Sequence, residues 1–164
     1  MSTPVVPLLQ SLLVADHVYL DQRTGKAIIC GVFHVIYCHE PQKQEEKAEI
    51  AAAPEDESTR GRRELARRVK VGSPYAYVAI TDLKGARQFE LRFVDLADQD
   101  VLFSFGFTME SNDPLAVREV VVQLPELRLS SINGVYALEL LCEDEWLGSH
   151  RIQAKSVETR RGEA

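Results

Sequence analysis

The stretch from Arg87 to Met109 constrains the fold most, because apolar and polar residues alternate along it in two runs. A period of two places the apolar residues of each run on one face of a β-strand, where a second layer must cover them. The runs are separated by a short polar linker, Leu96 to Asp100, as is usual in hairpins. The stretch therefore predicts an antiparallel pair of strands with an apolar inner face and a polar outer face. The apolar positions are Phe89, Leu91, Phe93, Val101, Phe103, Phe105, Phe107 and Met109.

Length and composition predict one soluble domain. The 164 residues are 45% hydrophobic and 27% charged, which is typical of a globular protein that builds its core without disulfides or metals. The net charge of −6 disfavours nucleic acid as the main partner. The amino terminus has no positive region, and no run approaches the roughly 18 apolar residues of a membrane span. The three cysteines are an odd count that fits reduced thiols, so we expect a cytoplasmic protein without membrane contact.

Further strands are predicted on both sides of the central pair. Residues 27–38 are apolar on both faces, which is typical of a central strand or of a strand that crosses between two layers. Gly31 within them indicates a bulge or a close backbone approach. About seven to eight short strands with regular turn signals predict an all-β, antiparallel sandwich. Outside the central pair, the predicted strands are residues 11–20, 27–38, 75–81, 117–124, 133–141 and 146–154.

Residues 39–71 interrupt the strand pattern with a run of charge. Acidic residues come first, and a basic block follows them. The segment is too long for an ordinary hairpin loop, so we expect a charged, flexible insertion. It would lie within a single domain spanning residues 8–155, and residues 156–164 would form a disordered tail. The basic block consists of Arg60, Arg62, Arg63, Arg67, Arg68 and Lys70.

Residues 133–141 resemble the tyrosine corner of immunoglobulin-like sandwiches. Gly134 precedes Tyr136, and alternating leucines follow. In that architecture the phenol bonds back to a backbone group a few residues upstream, and a cysteine follows two positions later. Here that position is Leu138. The resemblance therefore implies an immunoglobulin-like architecture without its disulfide.

Two groups of residues have the chemistry of metal ligands. Cys30, His34, Cys38 and His39 include zinc-ligand types, but an extended strand separates the first two by about 13 Å, too far for one zinc ion. Core positions are the alternative that we favour. The turn residues Asp82, Asp95, Asp98 and Asp100 are calcium-ligand types. A meander places Asp82 at the end opposite to the other three, so turn formation is favoured, and we expect no metal and no cofactor.

A catalytic alternative rests on Asp16, His17 and Asp21, which flank the first turn. A histidine between carboxylates can act as a general base. The chain has no nucleophile-elbow motif, P-loop or dinucleotide fingerprint. An enzyme is therefore the third hypothesis for function.

The basic block predicts an interaction surface, because arginine neutralises phosphates and binds carboxylates in a bidentate way. No aromatic residues are interleaved for base stacking, so a solvated loop and the binding of an anionic polymer or nucleic acid both stay open. The leading hypothesis is a non-enzymatic protein that binds another protein or a second copy of itself. Contact would use an exposed sheet edge or an outer face near Tyr77 and Trp146, helped by the basic block.

Several short motifs together resemble a bacterial family of short proteins that carry a domain of unknown function. The resemblance extends from Leu12 to Ala154 apart from the charged insertion, where this chain departs from shorter relatives. It implies a compact β-sandwich and carries no activity. The motifs are Asp16, Asp21, Gly25-Lys26, Gly31-Val32-Phe33, Leu91-Arg92-Phe93-Val94-Asp95, Asp113-Pro114-Leu115 and Gly134-Val135-Tyr136-Ala137-Leu138-Glu139-Leu140.

Overall fold

The computed structural model describes residues 5–39 and 69–157, and within these ranges it contains eleven β-strands and no helix. The all-β expectation is confirmed. The predicted insertion and tail fall mainly on residues outside the described ranges, and so does part of the predicted domain 8–155, so these stay predictions. The strands are β1 (Leu8–Leu20), β2 (Ala27–Val32), β3 (Val35–Cys38), β4 (Val69–Lys70), β5 (Tyr75–Thr81), β6 (Gly85–Asp95), β7 (Asp100–Ser111), β8 (Arg118–Gln123), β9 (Arg128–Leu129), β10 (Gly134–Cys142) and β11 (Glu145–Ser156).

The strands form two main sheets and one small one. The four-stranded sheet has the order β2-β1-β5-β8, the five-stranded sheet has the order β3-β11-β10-β6-β7, and β4 pairs with β9. All these pairs are antiparallel except β3 with β11, which is parallel. The strand number exceeds the predicted seven to eight because residues 27–38 divide into two strands and because β4 and β9 are too short to show a period of two.

One hydrophobic core joins the two main sheets. Alternate residues of β5 point inward from the four-stranded sheet, and alternate residues of β6, β10 and β11 point inward from the five-stranded sheet. Because a period of two presents one whole face of each strand, the two faces cover one another. Fully buried members of this core include Ala76, Val78, Ile80, Leu91, Leu138 and Ile152.

The predicted antiparallel pair is confirmed. Strands β6 and β7 pair from Gly85 opposite Ser111 to Asp95 opposite Asp100, with an irregularity between Phe93 and Val94. The inward residues of β6 are buried in the core. Strand β7, however, is the outermost strand of its sheet.

Residues 27–38 cross from one sheet to the other. Strand β2 lies at the edge of the four-stranded sheet and β3 at the edge of the five-stranded sheet. The crossing interpretation is therefore confirmed, and the interpretation as one central strand is wrong. The close approach predicted at Gly31 is also present. Its φ is +71°, and an added Cβ would lie 2.4 Å from a carboxylate oxygen of Asp16.

Tyr136 makes the upstream hydrogen bonds that the sequence predicts. Its hydroxyl accepts from the backbone N–H of Ser131 at 3.0 Å and donates to the carbonyl oxygen of Ser131 at 3.0 Å. The Ser130 hydroxyl lies 3.1 Å from the same phenol oxygen and donates to the buried carboxylate of Asp95. These bonds attach the start of β10 to the loop before it.

Candidate functional site

Most of the basic block lies outside the described residues. Arg60, Arg62, Arg63, Arg67 and Arg68 fall between residues 40 and 68. Only Lys70 is described, and it is exposed in β4 opposite Arg128 of β9. The interaction predicted for the block therefore stays a prediction.

Tyr77 and Trp146 lie on different sheets. Tyr77 alternates with Ala76 and Val78, which are fully buried, so its ring lies on the outer face of the four-stranded sheet. Trp146 is opposite Leu141 in the β10–β11 pair of the five-stranded sheet and is 58% exposed. The structure therefore does not bring these two predicted contact residues into one surface.

The outer face of the four-stranded sheet around Tyr77 is an apolar, tyrosine-rich surface, which we call the tyrosine face. The strand register places Ala15 between Val32 and Tyr75, and it places Leu13 opposite Tyr77. Because directly paired residues share one face of a sheet, the side chains form continuous rows across the strands. The tyrosine face consists of Leu13, Ala15, His17, Tyr19, Ile28, Cys30, Val32, Tyr75, Tyr77 and Val121.

Part of the tyrosine face is open to solvent. Tyr19 is 55% exposed, Ile28 50% and Val32 42%. The ring of His17 lies between the rings of Tyr19 and Tyr75, with centroid distances of 5.9 and 6.0 Å. Exposed apolar residues that occur singly are ordinary, whereas a contiguous patch indicates a binding surface.

Tyr77 is held in place by its neighbour on β8. Its hydroxyl donates a hydrogen bond to the carboxylate of Glu119. Burial, together with the hydrogen bond to Glu119 and its charge, raises the pKa of Tyr77 to about 12. The phenol is therefore a protonated donor at neutral pH, and its bond fixes the orientation of the ring.

The tyrosine face continues onto a projecting hairpin. Pairing of β1 with β5 ends at Ala15 opposite Tyr75, so β1 from Asp16 to Leu20 pairs only with β2. The turn is closed by Asp21, whose side chain accepts the backbone N–H groups of Arg23 at 2.8 Å and of Thr24 at 3.0 Å. The backbone hydrogen bonds from Thr24 and Arg23 lower the pKa of Asp21.

The residues of the catalytic hypothesis do not form one cluster. Asp16 and His17 are consecutive in β1, so their side chains leave opposite faces of the strand. Asp21 bonds to the turn. Among the described residues no hydrogen bond connects any two of the three. An open cavity of about 620 Å³ at this end of the sheets is lined mainly by apolar residues, with Asp16 and His17 at its wall.

The predicted metal-ligand types are likewise dispersed. Of the four residues for which core positions were favoured, only Cys38 is buried, and the expectation is wrong for Cys30, His34 and His39, which are exposed. Cys30 lies in the four-stranded sheet and Cys38 in the five-stranded sheet, while His34 stacks on His150 at a centroid distance of 4.4 Å. In the described ranges no three His, Cys, Asp or Glu residues come together as a metal site. Cys142 lies in the five-stranded sheet, whereas Cys30 lies in the four-stranded sheet, and all three cysteines are free thiols.

Comparison with models of known protein families finds no family that matches this chain. Comparison with curated proteins finds no similar sequence. Residues 5–39 and 69–157 include no helix of the length and apolar character needed to cross a membrane.

Proposed function

We propose that this protein is a non-catalytic binding module that recognises another protein through the tyrosine face. The observation that carries the proposal is the contiguous exposure of Tyr19, Ile28 and Val32 beside the half-buried rings of Tyr75 and Tyr77. Tyrosine is enriched at protein interfaces because it offers a large apolar ring and a polar hydroxyl with few rotatable bonds. Such a face suits a partner whose own surface has an apolar centre.

The part of the tyrosine face around Tyr77 is rigid, which favours tight binding. Leu13 and Tyr77 pair where β1 and β5 are inner strands of their sheet, and Tyr77 bonds to Glu119. Side chains that are already held lose little conformational entropy when a partner binds. The hairpin adds an extension that reaches beyond the sheet.

The fold is, in this proposal, immunoglobulin-like. Supporting features are the two main sheets, which are antiparallel apart from the β3–β11 pair, the connections from β5 to β6 and from β7 to β8, which cross between these sheets, and the hydrogen bonds of Tyr136 to Ser131. Greek-key connections and a tyrosine corner characterise that architecture. We further propose membership of the bacterial family named above, and action in the bacterial cytoplasm.

A pull-down from the host lysate tests the binding proposal. The bait is the full chain, compared with a Tyr19→Ser, Ile28→Ser double variant. The control is Leu115→Ser, because Leu115 is 84% exposed but belongs to the turn between β7 and β8. We expect the parent and the control to capture a partner that the double variant loses.

The captured partner must then bind the purified parent chain directly. Titration calorimetry should show roughly tenfold or greater weakening for the double variant, as expected when central aromatic contacts are removed. Equal affinities for the three chains would contradict the proposal. Light scattering on the purified parent determines whether the partner is a second copy of the chain.

Binding of an anionic polymer through the basic block is a second proposal. Among the described residues, the observation that favours it is that two basic residues, Lys70 and Arg128, lie opposite one another in the β4–β9 pair. Glu126 forms an ion pair with Arg128 at 3.1 Å. Filter binding with single-stranded nucleic acid across a salt series tests it. The logarithm of affinity should fall by nearly one unit per decade of salt for each phosphate contact. No retention at low salt would refute it.

A further inference from the structure

The longest edge of the two main sheets is β7. It has twelve residues, compared with six in β2, four in β3 and six in β8. It pairs with β6 along one side, and no other described strand lies along its second side. A strand in this position presents a row of backbone N–H and C=O groups to which another strand can bind.

From Phe103 to Ser111, strand β7 lacks the features that usually protect an edge. Proteins protect edges with lysine, proline, bulges or short strands. The sequence of β7, DVLFSFGFTMES, has no proline and no basic residue. Its pairing with β6 has one irregularity, between the Phe93–Phe103 pair and the Val94–Val101 pair. The pairing from Phe103 to Ser111 is regular. By contrast, β2 contains Gly31 at a φ of +71°, and β8 begins at Arg118.

An incompletely covered row of aromatic rings follows the same edge. Phe103 and Phe107 stack on Phe93 and Phe89 of β6 at 5.4 and 5.6 Å. With Phe105 they point toward the core but stay half-buried. The four-stranded sheet ends at β8, so no further described strand covers this row. An added strand would bury these rings as well as bond to the backbone.

Charge decides what kind of strand fits. Carboxylates lie at both ends of the edge, Asp98 and Asp100 at one end and Glu110 and Asp113 at the other, and the middle of β7 is uncharged. At the second end the two carboxylates outnumber the one described cation that bonds to β7, Arg118, whose Nε–H donates to the Ser111 hydroxyl at 3.2 Å. Pairing of β7 with a second copy in antiparallel orientation would bring these carboxylates together, which is unfavourable. A segment with basic ends and an apolar middle has the complementary charge.

We infer that β7 is a docking edge for an extended segment of a partner protein, apolar at alternate positions and basic at both ends. The segment adds to the five-stranded sheet as a further strand, through backbone hydrogen bonds along β7, and its inward side chains cover Phe105 and its neighbours. This edge lies on a different sheet from the tyrosine face, so the inference goes beyond the proposed function and does not depend on it.

A labelled synthetic peptide, KKTVTFTVTKK, tests the inference by fluorescence anisotropy with the full chain. Two control peptides replace the lysines by glutamates or methylate alternate backbone nitrogens. We expect the glutamate peptide to bind roughly tenfold or more weakly because its ends repel the carboxylates. The methylated peptide should lose binding because it cannot bond to the edge. Amide hydrogen exchange should slow within β7 when the lysine peptide binds.

Variants locate the binding to this edge. Thr108→Lys places a cation on the exposed outer face of β7, and Ser149→Lys places one on the outer face of β11, which β10 and β6 separate from β7. We expect the first to weaken peptide binding roughly tenfold and the second to leave it unchanged. The Tyr19→Ser, Ile28→Ser variant should also bind the peptide normally, so this inference and the proposed function fail separately.

Three results would overturn the inference. They are equal affinity for the lysine and glutamate peptides, exchange protection at another edge, and no binding of the lysine peptide at about 1 mM, the range of very weak association.

Discussion

Gly31 has a backbone conformation that other residues adopt only with strain. Its φ is +71°, and an added Cβ would lie 2.4 Å from Oδ2 and 3.1 Å from Cβ of Asp16. Rotation of the Asp16 side chain can move its oxygen but not its Cβ. We therefore expect Gly31→Ala to lower the free energy of unfolding by about 1–3 kcal/mol, measured by urea denaturation.

The matched control is Gly106→Ala. An added Cβ at Gly106 would meet only the carbonyl oxygen of Phe89, at an ordinary 3.6 Å, and its φ is not in the left-handed region. Its effect should stay within about 0.5 kcal/mol. A loss at Gly31 no larger than this would show that the crossing between β2 and β3 tolerates a side chain there.

His150 should make stability depend on pH. It is 4% exposed, and its Nε2–H donates to the carbonyl oxygen of Phe33 at 2.9 Å. Burial lowers its pKa from the ordinary 6.5; the hydrogen bond to Phe33 opposes that shift, and the charge of His34 adds to it. Below pH 6.5 the unfolded chain takes up a proton that the folded chain does not, so stability should fall as the pH falls toward the folded pKa.

Urea midpoints at pH 7.5 and 5.5 measure this effect. One proton contributes at most about 1.4 kcal/mol per pH unit. The pKa values of Asp21 and Glu90 are lowered from the ordinary 3.8 and 4.5. These two groups therefore change stability only at more acidic pH. We expect His150→Leu to reduce the difference between the two midpoints, whereas Leu115→Ala, at an 84% exposed position without a titratable group, should preserve it. The same difference in His150→Leu as in the parent would rule out His150 as the source.

At the scale of elements, the β1–β2 hairpin should open more easily than the inner strands. From Asp16 onward β1 pairs only with β2, and a two-stranded ribbon alone is at most marginally stable in water. Strand β10 pairs on both sides, with β11 and β6. Amide hydrogen exchange should therefore be more than tenfold faster in residues 17–30 than in β10, because local opening costs less than global unfolding.

Equal protection in the two elements would mean that further contacts hold the hairpin. If the hairpin exchanges fast, addition of a partner captured through the tyrosine face should slow it. Exchange that stays fast in the complex would place the contact on the sheet rather than on the hairpin.

The elements that the sequence predicts well are those set by local pattern. Alternation alone identifies β6 and β7, since a period of two arises within each strand, and the resemblance of residues 133–141 to a tyrosine corner implies the upstream hydrogen bond of Tyr136. The crossing of residues 27–38 between sheets needs tertiary information, because an apolar run fits both a central strand and a crossing one. The edge position of β7 depends on strand order, which alternation does not encode.

For the tyrosine face, too, the sequence predicts the strands but not their order in the sheet. Tyr19, Tyr75 and Tyr77 are visible as alternate residues of predicted strands, but only the register places β1 between β2 and β5 and so makes the residues neighbours. Tyr77 was a predicted contact residue and lies on this face. Trp146, the other predicted contact residue, lies on the other sheet, because alternation predicts the strand that contains a residue but not the sheet that this strand joins.

At the scale of the molecule, the shared core predicts that the two main sheets unfold together. Ile80 of the four-stranded sheet and Leu138 of the five-stranded sheet are fully buried in one cluster. Truncation of either to alanine should cost about 2–5 kcal/mol and shift a single transition, because both side chains fill the same interior. Leu115→Ala, at an 84% exposed position, should change stability by less than about 0.5 kcal/mol.

Two probes report on that transition from different parts of the fold. The single tryptophan, Trp146, lies in the five-stranded sheet, and far-ultraviolet circular dichroism reports on all strands. For Ile80→Ala, whose change is in the opposite sheet, the two urea curves should still coincide, as all-or-none unfolding requires. If the dichroism changed before the tryptophan fluorescence, the four-stranded sheet would unfold first, and each binding surface would then have a stability of its own.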